Sequence, residues 1–410
     1  MENEKIYYQA LARFDKIGPL RLRTLLKSFT SVEQIWHASA QDLTRSGLDE
    51  NVATEFVSWR KDQDIEKQWE ELQKEGIQVV TWGDAPPHLA SGHPLPQGEG
   101  RGEGKYPSLL AEIHDPPHTL FVRTAHPLLT SPIKREGQIG SSPPLVGGVR
   151  GGEIFDNTFT LAVVGTRMAT TYGRQIVEQI VGPLARSGLT IVSGLALGVD
   201  ALAHDVTVRE GGTTIAVLGG GCDRASIYPT SNRALAERII EKGGAVISEY
   251  PPGTLAMPFH FPHRNRIISG MSRGTFVIEA TEDSGSLITA KHALEQNREV
   301  FTVPGDITRD TSRGPNNLLK MGAHPVLCAD DILDALNLQD LKATIEARKI
   351  MPDDPTEEKI LAHLGDEPVH IDELVEKTQM QAGETASCLT LMEMKGKVRH
   401  IGGMNYVLAH

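Results

Sequence analysis

The sequence predicts an α/β protein: a doubly wound parallel sheet forms the main domain, a small helical domain precedes it and a winged-helix domain follows it. Three observations support this prediction. Short apolar runs alternate with helical segments over residues 158–335, which is typical of a parallel sheet covered on both faces. Residues 5–80 have the pattern of short helices, and residues 350–410 have three helical segments followed by a hairpin.

The N-terminal domain is predicted to span residues 1–90. A Gly-Pro pair at positions 18 and 19 indicates a turn, and Ser31 is a candidate N-cap for a later helix. A helix pair joined by such a turn can grip a nucleic-acid backbone through exposed amides. The same arrangement is also a common scaffold, and the sequence leaves both interpretations open.

Residues 91–157 are predicted to be a linker. Within residues 91–153, 20 of 63 positions are Gly or Pro, close to a third. Segments of this composition cannot supply a packed face, so residues 91–105 and 126–153 are predicted to be disordered insertions or long exposed loops. Between them, residues 106–123 have apolar content and turn prolines, and we expect a structured connector there.

The main domain, residues 158–335, contains seven candidate strands. Five or more consecutive alternations of strand and helix predict the doubly wound sheet, although the strand order cannot be deduced. The predicted strands are residues 161–165, 190–194, 213–219, 245–250, 275–280, 299–305 and 324–328. The predicted helices between them lie near residues 172–187, 199–210, 231–242, 263–273, 285–297 and 314–322.

The C-terminal domain, residues 350–410, has the winged-helix pattern, with Gly402-Gly403 at the hairpin turn. Its would-be recognition helix, residues 381–394, carries no Lys or Arg before Lys395. Reading of a DNA major groove needs donors and cations that this helix lacks. A protein-contact or regulatory role is therefore favoured for this domain.

The charge distribution excludes a generally basic nucleic-acid-binding protein. The net charge is −12, divided as −5 over residues 1–157, zero over residues 158–330 and −7 over residues 331–410. Of the 16 basic residues in the neutral middle segment, 13 are arginine, which suits bidentate contacts with phosphate or carboxylate. A local patch in this segment therefore stays possible.

The sequence also predicts a cytoplasmic protein without a membrane segment. No apolar run approaches the roughly 20 residues that a membrane span needs, and the first ten residues lack a signal-peptide pattern. Cys222, Cys328 and Cys388 lie far apart and form no C-x-x-C pair, so neither a disulfide framework nor a cysteine zinc site is expected.

Loops of small residues follow several predicted strands. Ligands of open α/β sheets bind beyond the carboxyl ends of the strands. Gly165-Thr166-Arg167 follows the first strand, a loop beginning at Ser193-Gly194 follows the second, and Gly219-Gly220-Gly221 follows the third. Ser284-Gly285-Ser286 precedes a predicted helix. Because small residues leave backbone amides accessible to anions, these loops predict phosphate cradles along one edge of the sheet.

Residues 259–266 contain two aromatic residues, two histidines and two arginines. This composition is typical of a surface that stacks bases and binds the phosphates of single strands. On a helix, Arg264 and Arg266 lie about 200° apart and cannot have the same role. We therefore expect at least one of them to pair internally with a carboxylate such as Glu279 or Glu249.

Several enzyme and cofactor motifs do not occur. The chain contains no G-x-x-x-x-G-K-[ST], no complete G-x-G-x-x-G and no H-E-x-x-H, which disfavours a P-loop nucleotidase, a dinucleotide cofactor and a zinc site. Asp200 and His204 could form a catalytic pair, but helix capping or core hydrogen bonding is favoured. No cofactor or metal is predicted, and the site is expected to hold an anionic polymer or nucleotide rather than to break a bond.

Seven ordered motifs lie within residues 158–328: Gly165-Thr166-Arg167, SGLALGVDALAH (193–204), LGGGCDRASIYP (218–229), FPHRNRIISG (261–270), EATEDSGSLITA (279–290), VPGDI (303–307) and GPNNLLKMGAHPV (314–326). They closely resemble the DNA-processing protein A family, also called Smf. The resemblance implies an extended Rossmann-like domain that binds single-stranded DNA and forms a homodimer. It also implies a cytoplasmic protein that protects incoming DNA and loads the RecA recombinase in natural transformation, with no catalytic activity.

The predicted DNA-binding residues combine these motifs with the strand-end loops. Arg167 matches the arginine of the family's Gly-Ser/Thr-Arg pocket, and the family's Arg-Asn-Arg and Ser-Gly-Ser elements are also present. Many relatives place a lysine after the Tyr-Pro pair, whereas this chain has Thr230, so the resemblance implies no phosphate contact at this position. The predicted set is Gly165, Thr166, Arg167, Ser193, Gly194, Phe261 as a base stacker, Arg264, Asn265, Arg266, Ser284, Gly285 and Ser286.

Two alternatives remain open at this point. The same sheet edge resembles, more distantly, the lysine-decarboxylase-like proteins, some of which hydrolyse nucleoside monophosphates. Those proteins usually carry a P-G-G-x-G-T loop, which is absent here. The other alternative is an interaction scaffold whose α/β domain binds no ligand.

Overall fold

The computed structural model describes residues 2–84, 106–125, 159–339, 341, 354–365, 367–394 and 397–408. The two predicted insertions, residues 91–105 and 126–153, lie outside the described residues. The chain divides into two compact units, Met1–Ile332 and Leu333–His410. No helix within the described residues is long and apolar enough to cross a membrane.

The first unit begins with six helices: α1 Glu2–Leu11, α2 Pro19–Leu25, α3 Val32–His37, α4 Ala40–Arg45, α5 Glu50–Trp59 and α6 Ile65–Lys74. Gly18 and Pro19 start α2, and the Ser31 side chain accepts a hydrogen bond from the Gln34 N–H at the start of α3, as predicted. These helices share a hydrophobic core with one face of the sheet. Leu22 and Phe56 from the helices and Leu120 and Ile247 from the sheet are all fully buried in that core.

A nine-stranded sheet forms the centre of the first unit. Its strands are β1 Ile77–Thr81, β2 Thr119–Thr124, β3 Thr160–Val164, β4 Thr190–Ser193, β5 Thr214–Val217, β6 Ala245–Ser248, β7 Gly274–Val277, β8 Glu299–Thr302 and β9 His324–Pro325. They lie in the order β1-β2-β6-β5-β4-β3-β7-β8-β9. Strands β3 to β9 are parallel, which confirms the predicted doubly wound sheet and its seven strands.

Two antiparallel strands at one edge were not predicted. β1 pairs with β2, and β2 pairs with β6. β1 lies largely in the segment expected to be helical, and β2 lies in the connector. Their side chains are mostly buried, and pairing with the β6 edge satisfies backbone groups that would otherwise be left open.

Helices cover both faces of the sheet. They are α7 Ser108–Ala111, α8 Thr171–Ile176, a π-helical turn Val177–Val181, α9 Gly182–Arg186, α10 Val199–Arg209, α11 Arg233–Glu241, α12 His260–Gly270, α13 Gly285–Glu295 and α14 Asp310–Lys320. The next helix, α15 Ala329–Ala335, spans the boundary between the two units. α12 begins three residues earlier than predicted. Its first turn tolerates Pro262, because the proline's missing N–H has no partner within the helix at that position.

The strand order reverses at β3. From β3 the sheet builds outwards through β4, β5 and β6, and the chain then returns to place β7 on the other side of β3. At such a switch point the loops leaving β3 and β7 turn to opposite faces of the sheet and open a crevice beyond the strand ends.

The second unit contains the predicted winged helix. Its elements are α16 Pro355–Leu361, β10 Val369–His370, α17 Ile371–Thr378, α18 Ala382–Met394, β11 Val398–His400 and β12 Asn405–Leu408. The three strands form a small sheet in the order β10-β12-β11. Leu374, Leu389 and Met392 are fully buried in its core. Gly402 and Gly403 both have positive φ at the hairpin turn, as the sequence indicated.

Candidate nucleic-acid interface

A cleft of about 540 Å³ lies beyond the carboxyl ends of β3, β4 and β7, with α12 as one wall. It occupies the crevice where the strand order reverses. Eight of the predicted DNA-binding residues line it: Gly165, Arg167, Phe261, Arg264, Asn265, Ser284, Gly285 and Ser286.

Arg167 supplies an exposed cation at the rim of the cleft. Its loop is held by the Thr166 backbone, whose N–H donates to the Glu279 carbonyl at 2.7 Å and whose carbonyl accepts from the Val199 N–H at 3.1 Å. The guanidinium carbon of Arg167 lies 5.4 Å from the centre of the Phe261 ring, within cation–π range. In the part of the chain that the structure describes, no carboxylate forms an ion pair with Arg167.

Arg264 lies beneath the same aromatic ring but is only 4% exposed. Its Nη1 donates to the Gly194 carbonyl at 2.8 Å and to the Val217 carbonyl, and its Nε donates to Asn265 Oδ1 at 3.3 Å. Burial lowers the pKa of Arg264 to about 10, and the nearby Asp200 carboxylate opposes this shift. Arg264 is therefore charged at neutral pH and ties α12 to the ends of two strands.

Asp200 organises the loop between β4 and α10. Its Oδ2 accepts hydrogen bonds from the N–H groups of Gly194 at 3.1 Å and Ala196 at 3.4 Å. Burial raises the pKa of Asp200, while the Arg264 charge and these hydrogen bonds oppose the shift. His204 instead places Nδ1 2.7 Å from Thr214 Oγ1. The structural role favoured for Asp200 and His204 therefore agrees with their contacts, and the two side chains have separate partners.

The N-terminus of α13 faces the opposite side of the cleft. Ser284 caps the helix by accepting a hydrogen bond from the Ser286 N–H at 3.4 Å. A Cβ on Gly285 would meet no atom within 4 Å, so the backbone here is open to a ligand. The Asn265 Nδ2 donates to the Gly285 carbonyl at 3.2 Å and joins this turn to α12. The exposed Gly285 backbone and the helix dipole suit a phosphate group at this position.

Four predicted site residues do not line the cleft: Thr166, Ser193, Gly194 and Arg266. Thr166 holds the Arg167 loop through its backbone, and the buried Ser193 hydroxyl donates to the Val163 carbonyl at 2.6 Å. A Cβ on Gly194 would lie 2.7 Å from Arg264 Nη2. Ser193 and Gly194 therefore form the layer behind the cleft.

Arg266 requires the clearest correction, because it points away from the cleft into an internal ion-pair cluster. It is 3% exposed, with Nη2 2.8 Å from Glu249 Oε2 and Nε 3.0 Å from Asp115 Oδ2. The expectation that one of the two arginines pairs with a carboxylate such as Glu249 is confirmed. Glu279, the other candidate partner, instead accepts from the Thr170 hydroxyl at 2.6 Å.

Sequence reasoning missed Tyr228 as a cleft residue. Its ring is 55% exposed, and its centre lies 6.2 Å from that of Phe261. The Tyr-Pro pair in the loop after β5 was the sequence feature that could have indicated an aromatic residue at the cleft. Gly219 to Gly221, which precede this pair, were predicted to form a phosphate cradle but do not line the cleft. Gly219 packs behind Phe261, where a Cβ would approach the ring to 3.0 Å.

Across the described ranges, no group of three or more His, Cys, Asp or Glu side chains is placed to hold a metal ion. The cleft residues include arginines, aromatic rings, small residues and hydroxyls, with the loop carboxylate of Asp200 and a few aliphatic side chains and prolines. This arrangement can bind an anion and a planar ring side by side.

The fold and the cleft define a class of protein with a switch-point ligand site on a doubly wound sheet, joined to a winged helix. The model for DNA recombination-mediator protein A matches residues 134–337, and that for the DprA winged helix domain matches residues 345–404. Protein Smf of a Synechocystis species is 32% identical, with 98% of both chains covered. The chain therefore belongs to the DNA-processing protein A (Smf) family, and the resemblance noted in the sequence is confirmed.

Other relatives agree with this assignment. DNA processing protein DprA of Bacillus subtilis is 38% identical over 58% of this chain and 71% of the relative. Among solved structures, DprA of Streptococcus pneumoniae matches with a TM-score of 0.58 and 29% identity, covering 80% of this chain and 97% of that one.

Proposed function

We propose that this protein binds single-stranded DNA in the cleft at the switch point of its sheet. The observation that carries the proposal is the exposed Arg167 guanidinium beside the Phe261 ring, opposite the N-terminus of α13. Each nucleotide of a strand carries one phosphate and one base, and this cleft offers a partner for each. The small residues, which leave backbone amides accessible, allow the strand to approach closely.

In the proposed complex, Arg167 neutralises one phosphate, and the Gly285 amide at the start of α13 binds another. The buried Arg264 adds positive potential without leaving its carbonyl partners. Asn265 orients the α13 turn rather than the strand. Arg266 is not among the proposed contacts, because its guanidinium is already paired with Glu249 and Asp115.

Phe261 and Tyr228 are the proposed base-stacking residues. Stacking on an aromatic ring needs an unpaired base, since a duplex keeps its ring faces covered. The main domain has no net charge and the remainder of the chain is acidic, so nonspecific attraction to duplex DNA should be weak. Selectivity for single strands follows from both features.

At the level of the cell, we propose a cytoplasmic homodimer that protects incoming DNA and loads RecA in natural transformation. Membership of a family described as DNA recombination mediators and the DNA-processing names of the relatives support this role. Sedimentation analysis would test the dimer. Faster RecA filament formation on protein-covered single strands would test loading, and an unchanged rate would contradict it.

The cleft is tested by fluorescence anisotropy of a labelled single strand and of its matched duplex, over a series of salt concentrations. Arg167→Ala should weaken single-strand binding about tenfold or more, since a charge-assisted contact contributes about 1.5–3 kcal/mol. Removing one phosphate contact should also reduce the slope of log affinity against log salt by about 0.7.

Arg238→Ala is the matched control. It removes the same charge from the last turn of α11, where the guanidinium pairs with Asp205 and does not line the cleft. Equal affinity of wild type and Arg167→Ala, or equal binding of duplex and single strand, would contradict the proposal. Release of free adenine from AMP would instead indicate the hydrolase alternative.

A further inference from the structure

A second pocket, of about 390 Å³, lies where the N-terminal helices meet the sheet; we call it the junction pocket. Gly18–Pro19 line it at the start of α2, and Pro117–Thr119 line it at the start of β2. Glu249–Tyr250, after β6, and Phe259–His260 and His263, at the beginning of α12, form the other walls. All these residues belong to the first unit.

The first turns of α12 separate the junction pocket from the cleft. Phe261 and Arg264 line the cleft, whereas His260 and His263 line the junction pocket. Successive helical residues are rotated by about 100°, so each pair, three residues apart, occupies its own face of the helix. A strand leaving the cleft therefore reaches the junction pocket by crossing this short helical wall.

Flat aromatic surfaces line the junction pocket. The rings of Tyr250 and His260 are stacked, with centres 4.1 Å apart and an angle of 25° between their planes. The Tyr250 hydroxyl lies 3.3 Å from His263 Nδ1. Phe259 is 67% exposed, an unusual position for a large apolar ring, and lies edge-on to His260. Such surfaces stack planar heterocycles.

The charges in the junction pocket do not suit a phosphate. Its described lining residues include Asp15 and Glu249 but neither Lys nor Arg. Burial lowers the pKa of His118 to about 4, and burial also lowers the pKa of His263. Both histidines are therefore largely uncharged at neutral pH. His118 is 6% exposed with Nδ1 2.8 Å from Thr119 Oγ1, so the half-exposed ring of His263 is the hydrogen-bonding group that faces a ligand. An uncharged planar group with hydrogen-bonding edges matches this lining.

We infer that the junction pocket receives one base of the DNA strand whose phosphates lie in the cleft. This inference rests on the proposed function. It adds a second contact region that the helical segment and the sheet form together. The base would stack on Phe259 and the Tyr250–His260 pair, while its backbone crosses the start of α12.

Two variants test the inference by different physical routes. Phe259→Ala removes the exposed ring. Gly18→Leu fills the pocket, because a Cβ on Gly18 would meet no atom within 4 Å and its extended backbone, with φ −81° and ψ −177°, accepts a side chain before proline. Leu255→Ala is the matched control, since Leu255 is 72% exposed on the preceding loop and lines neither pocket.

The measurement is anisotropy of the full chain with labelled single strands of increasing length. For wild type and Leu255→Ala we expect affinity to rise by roughly fivefold or more at the length that reaches the junction pocket, as stacking of one base implies. Phe259→Ala and Gly18→Leu should lack this rise but bind the shortest strands normally. A 2-aminopurine stepped along the strand should be quenched in the cleft in all these proteins. It should be quenched at one further position in wild type and not in Phe259→Ala or Gly18→Leu.

Failures of the inference and of the proposed function give different results. If Phe259→Ala and Gly18→Leu match wild type at every length while Arg167→Ala loses affinity, the junction pocket holds no base and the cleft stands. If wild type binds no single strand of any length, both the proposed function and the inference are overturned. Thermal melting of each variant confirms that it is folded before binding is measured.

Discussion

Lowering the pH from 7.5 to 5 should destabilise the first unit through His204, by about 2 kcal/mol. Burial, together with the nearby Arg264 charge, lowers the pKa of this histidine from 6.5 to about 3. Thr214 Oγ1 donates its own proton to the Ile191 carbonyl at 2.7 Å and so accepts one from His204 Nδ1. The folded state therefore holds His204 as a neutral imidazole with its proton on Nδ1.

The sign follows from the lowered pKa. A histidine that is neutral when folded contributes stability above the unfolded pKa of 6.5, and this stability is lost progressively as the pH falls towards the folded pKa. At pH 5 the unfolded imidazole is about 1.5 units below its pKa, and each unit corresponds to about 1.4 kcal/mol. Since the folded pKa lies well below 5, the expected loss depends almost entirely on the unfolded value.

The perturbation that isolates this effect is His204→Asn, because an asparagine amide can donate to Thr214 as Nδ1 does. Urea unfolding at pH 7.5 and at pH 5 would be followed by tryptophan fluorescence. All four tryptophans lie in the first unit and report on it alone: Trp36, Trp59, Trp69 and Trp82. The difference in unfolding free energy between wild type and His204→Asn at pH 7.5 measures the packing lost in the variant. The change in that difference between the two pH values measures the titration of His204.

Wild type should lose about 2 kcal/mol more than His204→Asn between the two pH values. All other titrating groups are shared by the two proteins and cancel in this difference. His118 is one of them, and its pKa is also lowered, to about 4. Equal losses in both proteins would refute the reasoning, because they would mean that His204 titrates alike in the folded and unfolded states.

Two further substitutions have directions set by the structure. Gly198→Ala should lower the melting temperature and weaken single-strand binding. Gly198 has φ +77°, and a Cβ there would lie 2.2 Å from the Thr166 carbonyl oxygen. Gly285→Ala is the control: its Cβ would meet no atom within 4 Å, so the melting temperature should change little. Arg266→Met should destabilise the first unit by about 3–5 kcal/mol in urea unfolding, because it leaves Glu249 without its partner. It should nevertheless keep the wild-type slope of log affinity against log salt for single-strand binding. A lower slope for Arg266→Met would mean that this arginine contacts DNA.

The sheet was predictable where its strands are parallel and buried on both faces. The predicted strands overlap β3 to β9. β3 to β8 are short and mostly buried runs between loops rich in Gly, Ser or Asp, whereas β9, His324–Pro325, is an exposed edge strand. β1 and β2 were missed for a physical reason. They are antiparallel additions at one edge: β1 pairs with β2, and β2 pairs with β6, a strand more than 100 residues further along the chain. Nothing local in either segment specifies that partner.

The candidate site was predictable to the extent that topology defines it. The rule that ligands bind beyond strand ends correctly grouped the loops after β3 and β7. It failed for Gly219 to Gly221, because the ring of Phe261 covers Gly219 and the backbone of residues 251–256 packs against the other two glycines. Tyr228 was missed because an exposed loop aromatic has no periodic signal, and its place beside Phe261 depends on how that loop folds.

Arg264 and Arg266 show most clearly where reasoning from sequence ends. Helical spacing established that the two side chains point to different sides, and this holds in the structure. Spacing alone could not say which side faces the cleft, because that depends on what packs against each face of α12. Glu249 and Asp115 arrive from β6 and the connector, and they hold Arg266 in the interior. Arg264 is bound to strand-end carbonyls instead, which leaves Arg167 as the exposed cation of the cleft. Single-strand affinity should therefore depend on Arg167 directly, and on the Arg-Asn-Arg element mainly through the position of Phe261.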